Sequence, residues 1–193
     1  MSVQIACLGW HWSPYRYSRH AEDGDGRPVP PFPRSLGDLS RRAVLDARAV
    51  DPRVVERPDG TDDLLGGYDP DVALVNWYGP GSHMGMHADR DEVSPAPVVS
   101  LSLGRSCVFR FGTPAGRGRP WSDVILESGD LFVFGGPSRM AYHGVPRLVP
   151  DSCPPGLGLG EGRFNVTVRQ SGLSDGATHA VGGKDAERGL THQ

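Results

Sequence analysis

Between Val72 and Arg169 the chain breaks into short runs of alternating apolar and polar residues, and turn-forming residues interrupt nearly every run. Alternation at period two turns one face of a strand to a core and the other away, and runs this short leave no length for a helical bundle. The strand segments are "DVALVNWY", "MGMHADR", "APVVSLSLG", "SCVFRFG", "SDVILESGDLFVFGG" and "RFNVTVRQ". With 27 glycines and 18 prolines among 193 residues, the composition favours the same turn-rich architecture. The pattern predicts a mainly β fold with some α, a sandwich or jelly roll over 72–170, within one domain spanning 1–172.

Ahead of this region the spacing predicts a flanking helix from Ser35 to about Val50, with Leu36, Leu39, Ala43, Leu45 and Ala49 as its apolar stripe. Ser35, with Asp38 three residues on, resembles a capping signal. The stretch "AEDGDGRPVPPFP" reads as a loop, and residues 1–20 are rich in aromatics. Residues 173–193 lack a period and are expected to form a disordered tail, which removes His179 and His192 from the candidate ligands.

Composition narrows the function classes. A formal net charge of -3 gives no general attraction to nucleic acid, so any such contact must be local. Lys184, in the tail, is the sole lysine, which leaves no P-loop or Schiff-base lysine in the folded part. Cys7, Cys107 and Cys153 are odd in number and widely spaced, arguing for a reducing compartment and against a disulfide framework. With no long apolar run and no leader-like amino terminus, a soluble, cytoplasmic monomer without membrane contact is expected.

The segment "GPGSHMGMHADRDE" pairs histidines four apart, His83 and His87, and a histidine and a carboxylate two apart, His87 and Asp89. Four apart suits one face of a helix, two apart one face of a strand, and Gly79, Pro80, Gly81 and Gly85 disfavour the helix. His87 and Asp89 therefore make the pair, and His143 in "SRMAYHGVP" is the best third ligand. Two histidines and one carboxylate form the facial triad of a non-haem Fe(II) oxygenase, and catalytic zinc is the rival metal.

In "RFNVTVRQ", Arg163, Asn165, Thr167 and Arg169 share one face, and in a jelly roll that face can line the interior. At about 3.3 Å per residue the two arginines start roughly 20 Å apart, and side-chain reach leaves a gap of roughly 7 Å, enough for a short diacid. Asn76 and Tyr78 form a second polar face able to hydrogen-bond a carboxylate.

Asn76-x-Tyr78, His87-x-Asp89-x-Asp91-Glu92, His143 and Arg163-x-Asn165-x-Thr167-x-Arg169, in this order, resemble the AlkB family of Fe(II) and 2-oxoglutarate-dependent dioxygenases, from about Leu8 to Gly172. The resemblance implies a double-stranded β-helix with a nucleotide-recognition segment over 1–34. It implies Fe(II) on His87, Asp89 and His143, with 2-oxoglutarate held by Asn76, Tyr78, Arg163, Asn165, Thr167 and Arg169. Dioxygen is the other co-substrate; succinate, carbon dioxide and formaldehyde are the products. The substrates implied are 1-methyladenine and 3-methylcytosine in single-stranded DNA, with RNA as an alternative, the base unpaired or flipped for access. Within "GWHWSPYRYS", Trp10 corresponds to the base-stacking residue, with Tyr15 and Tyr17 near the phosphates. Asp91 would favour a cationic base, and Arg117 or Arg119 would supply a further contact. Trp12, Trp77 and Trp121 read as packing residues, and Arg90 and Arg110 as solvated ones. The chain departs from the family at Phe134, where an indole is expected, and it begins almost at the recognition segment. A hydroxylase of a small molecule or protein is the alternative, and a zinc-binding cupin-like module without turnover a more distant one.

Overall fold

The computed structural model describes residues 3–14, 16–57, 60, 63–174 and 179–180, the last two by their backbone alone. Each expected strand segment carries strand. They are β4 (Val72–Tyr78), β5 (Met84–His87), β6 (Val98–Gly104), β7 (Cys107–Phe111), β8 (Ser122–Leu126), β9 (Leu131–Phe134) and β11 (Arg163–Arg169). β10 (His143–Leu148) and the short amino-terminal strands β1 (Gln4–Leu8), β2 (His11–Ser13) and β3 (Arg16–Ser18) complete the main elements. One antiparallel sheet runs β1-β4-β11-β6-β9 and a second runs β5-β10-β7-β8, the two-sheet arrangement expected of a jelly roll.

The segment "SDVILESGDLFVFGG" divides between the two sheets. Gly129 takes a positive φ of 100°, the Glu127 amide donates to the Asp130 carboxylate at 2.7 Å, and the chain turns from β8 on β7 to β9 on β6. β5 stops at His87, so Asp89 lies beyond the strand rather than on its next same-side position. In the stretch expected to be disordered, Leu173 packs against the Trp10–Tyr17 cluster and His179–Ala180 forms β12 on the open edge of β3, where backbone groups await partners. The rest of 175–193 lies outside the described residues.

The helix α1 (Arg34–Val50) forms as expected, but its start and its face differ. Pro33 is the N-cap and no side chain caps the first turn; Asp38 pairs instead with Arg41 at 3.2 Å. Its buried residues are Gly37, Ser40, Ala43 and Val44, while Leu45 is half exposed and Ala49 exposed. Small residues set this face because the helix lies against the larger sheet: Ala43 and Val44 join Val55, Tyr68, Ala73, Val99, Val166 and Val168 in one core. Of the expected stripe, Ala43 joins this core and Leu36 packs against it, while Leu45 and Ala49 face outward.

Gly144 holds the smaller sheet together at its narrowest point. A Cβ there would meet the Met84 carbonyl oxygen at 2.8 Å and the Gly85 carbonyl oxygen at 2.9 Å, where the β5–β10 register shifts between His143 and Val145. A Cβ on Gly85 would meet nothing within 4 Å. Gly144→Ala is expected to cost about 1–3 kcal/mol through overpacking, lowering the thermal midpoint by several degrees, while Gly85→Ala leaves it nearly unchanged. Calorimetry on the two variants checks this.

Candidate active site

Direct cross-strand pairing creates the centre. His87 ends β5 opposite His143, the first residue of β10, and their ring centroids lie 4.5 Å apart. The His87 Nδ1 lies 3.0 Å from the Gly85 oxygen and the His143 Nδ1 3.0 Å from the Ala141 oxygen. A carbonyl accepts only from a protonated nitrogen, so in the neutral form of each ring Nε2 is the nitrogen with the lone pair. Each Nε2 lies 3.8 Å from an Asp89 carboxylate oxygen, and ligand atoms of the three residues fall within 4.8 Å of one another. The Asp89 Oδ2 is buried without a hydrogen-bond partner. An orphaned carboxylate oxygen facing two imidazole lone pairs fits a divalent cation. Burial also lowers the pKa of His143, keeping the ring neutral and ready to ligate.

Behind the triad stands a buried ion network. Arg169 donates to Asp89 Oδ1 at 2.8 Å and to Glu92 Oε1 at 2.8 Å; Arg139 donates to Glu92 Oε2 at 2.9 Å and to the Asp89 carbonyl at 2.8 Å; Tyr17 donates to Glu92 at 2.5 Å. Burial opposes the charge of Asp89 and Glu92, yet Arg169 above all, with Arg139 behind it, holds both carboxyls below the usual range. Burial raises the Tyr17 phenol well above its ordinary value, keeping it a donor.

A cavity of about 480 Å³ opens beside the triad. One wall is three strands in register: Asn76 opposite Asn165 opposite Ser102, Leu74 opposite Thr167 opposite Ser100, and Tyr78 opposite Arg163 opposite Gly104. Asn165 donates to Ser100 at 2.7 Å and accepts from Asn76 at 3.2 Å and Thr167 at 2.9 Å. Arg163 is 1% exposed and donates to Ser102 at 2.9 Å, but no carboxylate among the described residues pairs with it and its Nε has no partner. A buried guanidinium without an anion is costly, so the wall is built to receive one. Burial pushes the neighbouring Tyr78 phenol up to about 12.

The structure therefore brings together Asn76, Tyr78, His87, Asp89, Asp91, Arg117, His143, Arg163, Asn165, Thr167 and Arg169 around one cavity. Arg169 is not the second free end of a diacid clamp, because two of its nitrogens are committed to Asp89 and Glu92. Trp10 is not at the cavity: it is 1% exposed, its indole nitrogen donates to Asp71 at 2.9 Å, and the Arg19 guanidinium covers its ring at 3.6 Å. Tyr17 is likewise buried, its hydroxyl committed to the ion network. Tyr15 lies outside the described residues. Trp12 lines the cavity instead, its Nε1 donating to Asp91 at 2.7 Å. The paired positions of Trp10 and Trp12 on "GWHWS" left the choice to packing, and Asp71 and Arg19 enclose Trp10. Sequence reasoning also missed Arg139, and Ser100 and Ser102, whose signal was a polar alternation inside an otherwise apolar strand.

A cation site with spare coordination positions beside a buried arginine awaiting an anion is what a 2-oxoglutarate-dependent iron oxygenase requires. The 2OG-Fe(II) oxygenase superfamily matches residues 1–169. The chain is 42% identical over 178 residues to the alpha-ketoglutarate-dependent dioxygenase AlkB homolog of Caulobacter vibrioides, covering 89% of this chain and 70% of the relative. It is 35% identical over 171 residues to AlkB of Escherichia coli, covering 87% of this chain and 69% of that protein. The DNA N(6)-methyladenine demethylase ALKBH1D of Arabidopsis thaliana is 36% identical, and the match spans 88% of this chain but 40% of that longer protein. The solved structure of OsALKBH1 superposes with a TM-score of 0.75 at 35% identity, over 88% of this chain and 79% of that one. The chain belongs to the AlkB family of Fe(II) and 2-oxoglutarate-dependent dioxygenases. Membership assigns iron, rather than zinc, to the triad.

Glu92→Gln leaves the two arginines and Asp89 unbalanced and is expected to destabilise the apoprotein by about 3–5 kcal/mol, the usual cost of removing one partner from a buried pair. Because the Glu92 pKa is depressed by folding, its contribution is full above the ordinary carboxylate range and fades as pH falls through that range toward the folded value. The gap in thermal midpoint between wild type and variant should be widest at neutral pH and narrow on acidification, as melting curves across that interval would establish.

Proposed function

We propose that this dioxygenase removes methyl groups from 1-methyladenine and 3-methylcytosine in single-stranded DNA, or RNA. The observation that carries the reading is the pairing of Trp12 with Asp91 at the cavity, an aromatic face and an anion beside the metal triad. N1-methylated adenine and N3-methylated cytosine are cationic, so a carboxylate there favours them over the neutral base. Arg117, which also lines the cavity, suits an adjoining phosphate. Relatives named as a DNA N(6)-methyladenine demethylase, a tRNA demethylase and a nucleic acid dioxygenase support a nucleic-acid substrate in general.

In this reading Arg163 takes the far carboxylate of 2-oxoglutarate, while Asn76, Tyr78, Asn165 and Thr167 offer neutral hydrogen-bonding groups along its length. Arg169 holds Asp89 in place. Bound iron, with 2-oxoglutarate and dioxygen, supplies the oxidising power that hydroxylates the N-methyl carbon. The chain's own part is to hold the base against Trp12 and Asp91 with that carbon facing the triad. Loss of formaldehyde from the resulting hemiaminal then restores the base.

Anaerobically iron-loaded protein given 2-oxoglutarate, air and a single-stranded oligonucleotide carrying 3-methylcytosine should produce a strand lighter by one methylene, dependent on both iron and keto acid, by mass spectrometry. An unchanged strand alongside succinate formation would overturn the demethylase reading and point to the hydroxylase of another substrate. An N6-methyladenine strand in the same assay should react more slowly, since that base carries no charge for Asp91.

Trp12→Ala is expected to raise the KM for the methylated strand about tenfold, within the range for loss of one base-stacking ring. Trp10→Ala should instead destabilise the fold by about 3–5 kcal/mol as a buried aromatic truncation. Steady-state kinetics and melting on the two variants separate these roles.

A further inference from the structure

The chain is net negative, yet three exposed arginines stand without an ion pair to any described residue: Arg117, which lines the cavity, and Arg90 and Arg119. Each guanidinium is carried by an aromatic ring. Arg90 and Arg117 lie 5.0 and 5.9 Å from the centre of the Tyr142 ring, and Arg119 lies 4.8 Å from that of Trp121. Within about 6 Å a cation is held by the ring's quadrupole, which orders the side chain and leaves N–H edges free for a ligand. Arg110 also lies 4.7 Å from the Trp121 ring, but Asp123 holds its guanidinium through bonds of 2.7 and 2.8 Å. That pair fixes the far side of the indole and contributes no net charge.

The two rings belong to one surface. Gly112 donates to the Tyr142 carbonyl at 2.8 Å, and a Cβ on Gly112 would sit 3.6 Å from the oxygen of Pro120, the neighbour of Trp121. Phe111, just before it, pairs with His143 on one side and Ser122 on the other. A band therefore runs from Arg117 at the cavity over Tyr142 to Trp121, on the face of β7 that carries Arg110 and away from the one on which Phe111 meets the His143 ring. The acid nearest the start of that band, Asp91, lies in the cavity and already accepts from Trp12.

We propose that a single-stranded nucleic acid leaves the cavity across this ridge, with its phosphates on Arg90, Arg117 and Arg119 and a neighbouring base against Trp121. The assignment rests on the nucleic-acid reading above and extends it to the strand beyond the flipped base. Aromatic faces interleaved with guanidinium groups are the combination that binds unpaired strands without sequence preference. An acidic peptide would satisfy the cations but leave two rings without a role.

The test uses the double variant Arg119→Ala/Trp121→Ala, and Arg119→Ala alone in case the indole supports the fold. Fluorescence anisotropy with an unmethylated single strand of about twelve nucleotides should show about tenfold weaker binding for the double variant. Its slope of log affinity against log salt should be shallower by about 0.7 for the lost phosphate contact. On methylated substrates the KM should rise for the long strand and stay unchanged for a trinucleotide, with kcat preserved on both. Unchanged affinity, equal losses on long and short substrates, or displacement of the strand by polyglutamate as readily as by unlabelled DNA would each overturn the ridge. Wild-type binding that weakens in the variant, without turnover of any methylated strand, would leave the ridge standing and defeat the demethylase reading.

Discussion

The charge balance around Asp89 is the constraint on which the remaining architecture depends. A metal ligand must stay ionised in a site with almost no solvent, and a lone buried carboxylate would instead take up a proton. Arg169 prevents this, but a second buried charge needs its own compensation, supplied by Glu92; Glu92 in turn needs Arg139 and Tyr17. Each addition satisfies the previous one, and the series ends where neutral donors and backbone carbonyls close it. The result ties β3, β11, the loop after β5 and the turn before β10 to one ligand.

That chain of requirements explains why some of the site was legible in the sequence and some was not. His87, Asp89, His143 and the row Arg163, Asn165, Thr167, Arg169 were readable because metal ligands have few alternatives and period-two spacing fixes the face of a strand. Arg139 and Tyr17 were not, since their roles come from contacts across long sequence separations. The same limit hid which tryptophan reaches the cavity. Trp10 and Trp12 stand two apart on a segment of similar composition throughout, and only the packing of Asp71 and Arg19 around Trp10 shows that it is interior.

Fold-level misreadings have a common physical origin. The helix face was assigned from apolar residues alone, but a helix laid closely on a sheet also selects small ones at the contact, here Gly37 and Ser40 beside the expected Ala43. β10 was overlooked because "HGVPRL" carries a glycine and a proline, residues that weaken a strand in general. Gly144 is there because two backbones must nearly touch to bring His143 opposite His87. The irregularity that hid the strand is the feature that makes the site.

Phe134 illustrates how a local departure can be absorbed. A phenyl ring in place of an indole offers less surface beside the triad, which by itself would admit water and ease protonation of His143. Phe134 nevertheless lies 5.1 Å from the His143 ring and 5.5 Å from Phe111, while Phe109 lies 5.7 Å from the same imidazole. Phe109, Phe111 and Phe134 together surround the imidazole, and burial among them disfavours its charged form. The Ala141 carbonyl fixes which nitrogen carries the proton, and the aromatic wall fixes the plane of the ring. Orientation and neutrality of the ligand thus come from separate sources, so neither depends on the identity of the residue at 134 alone.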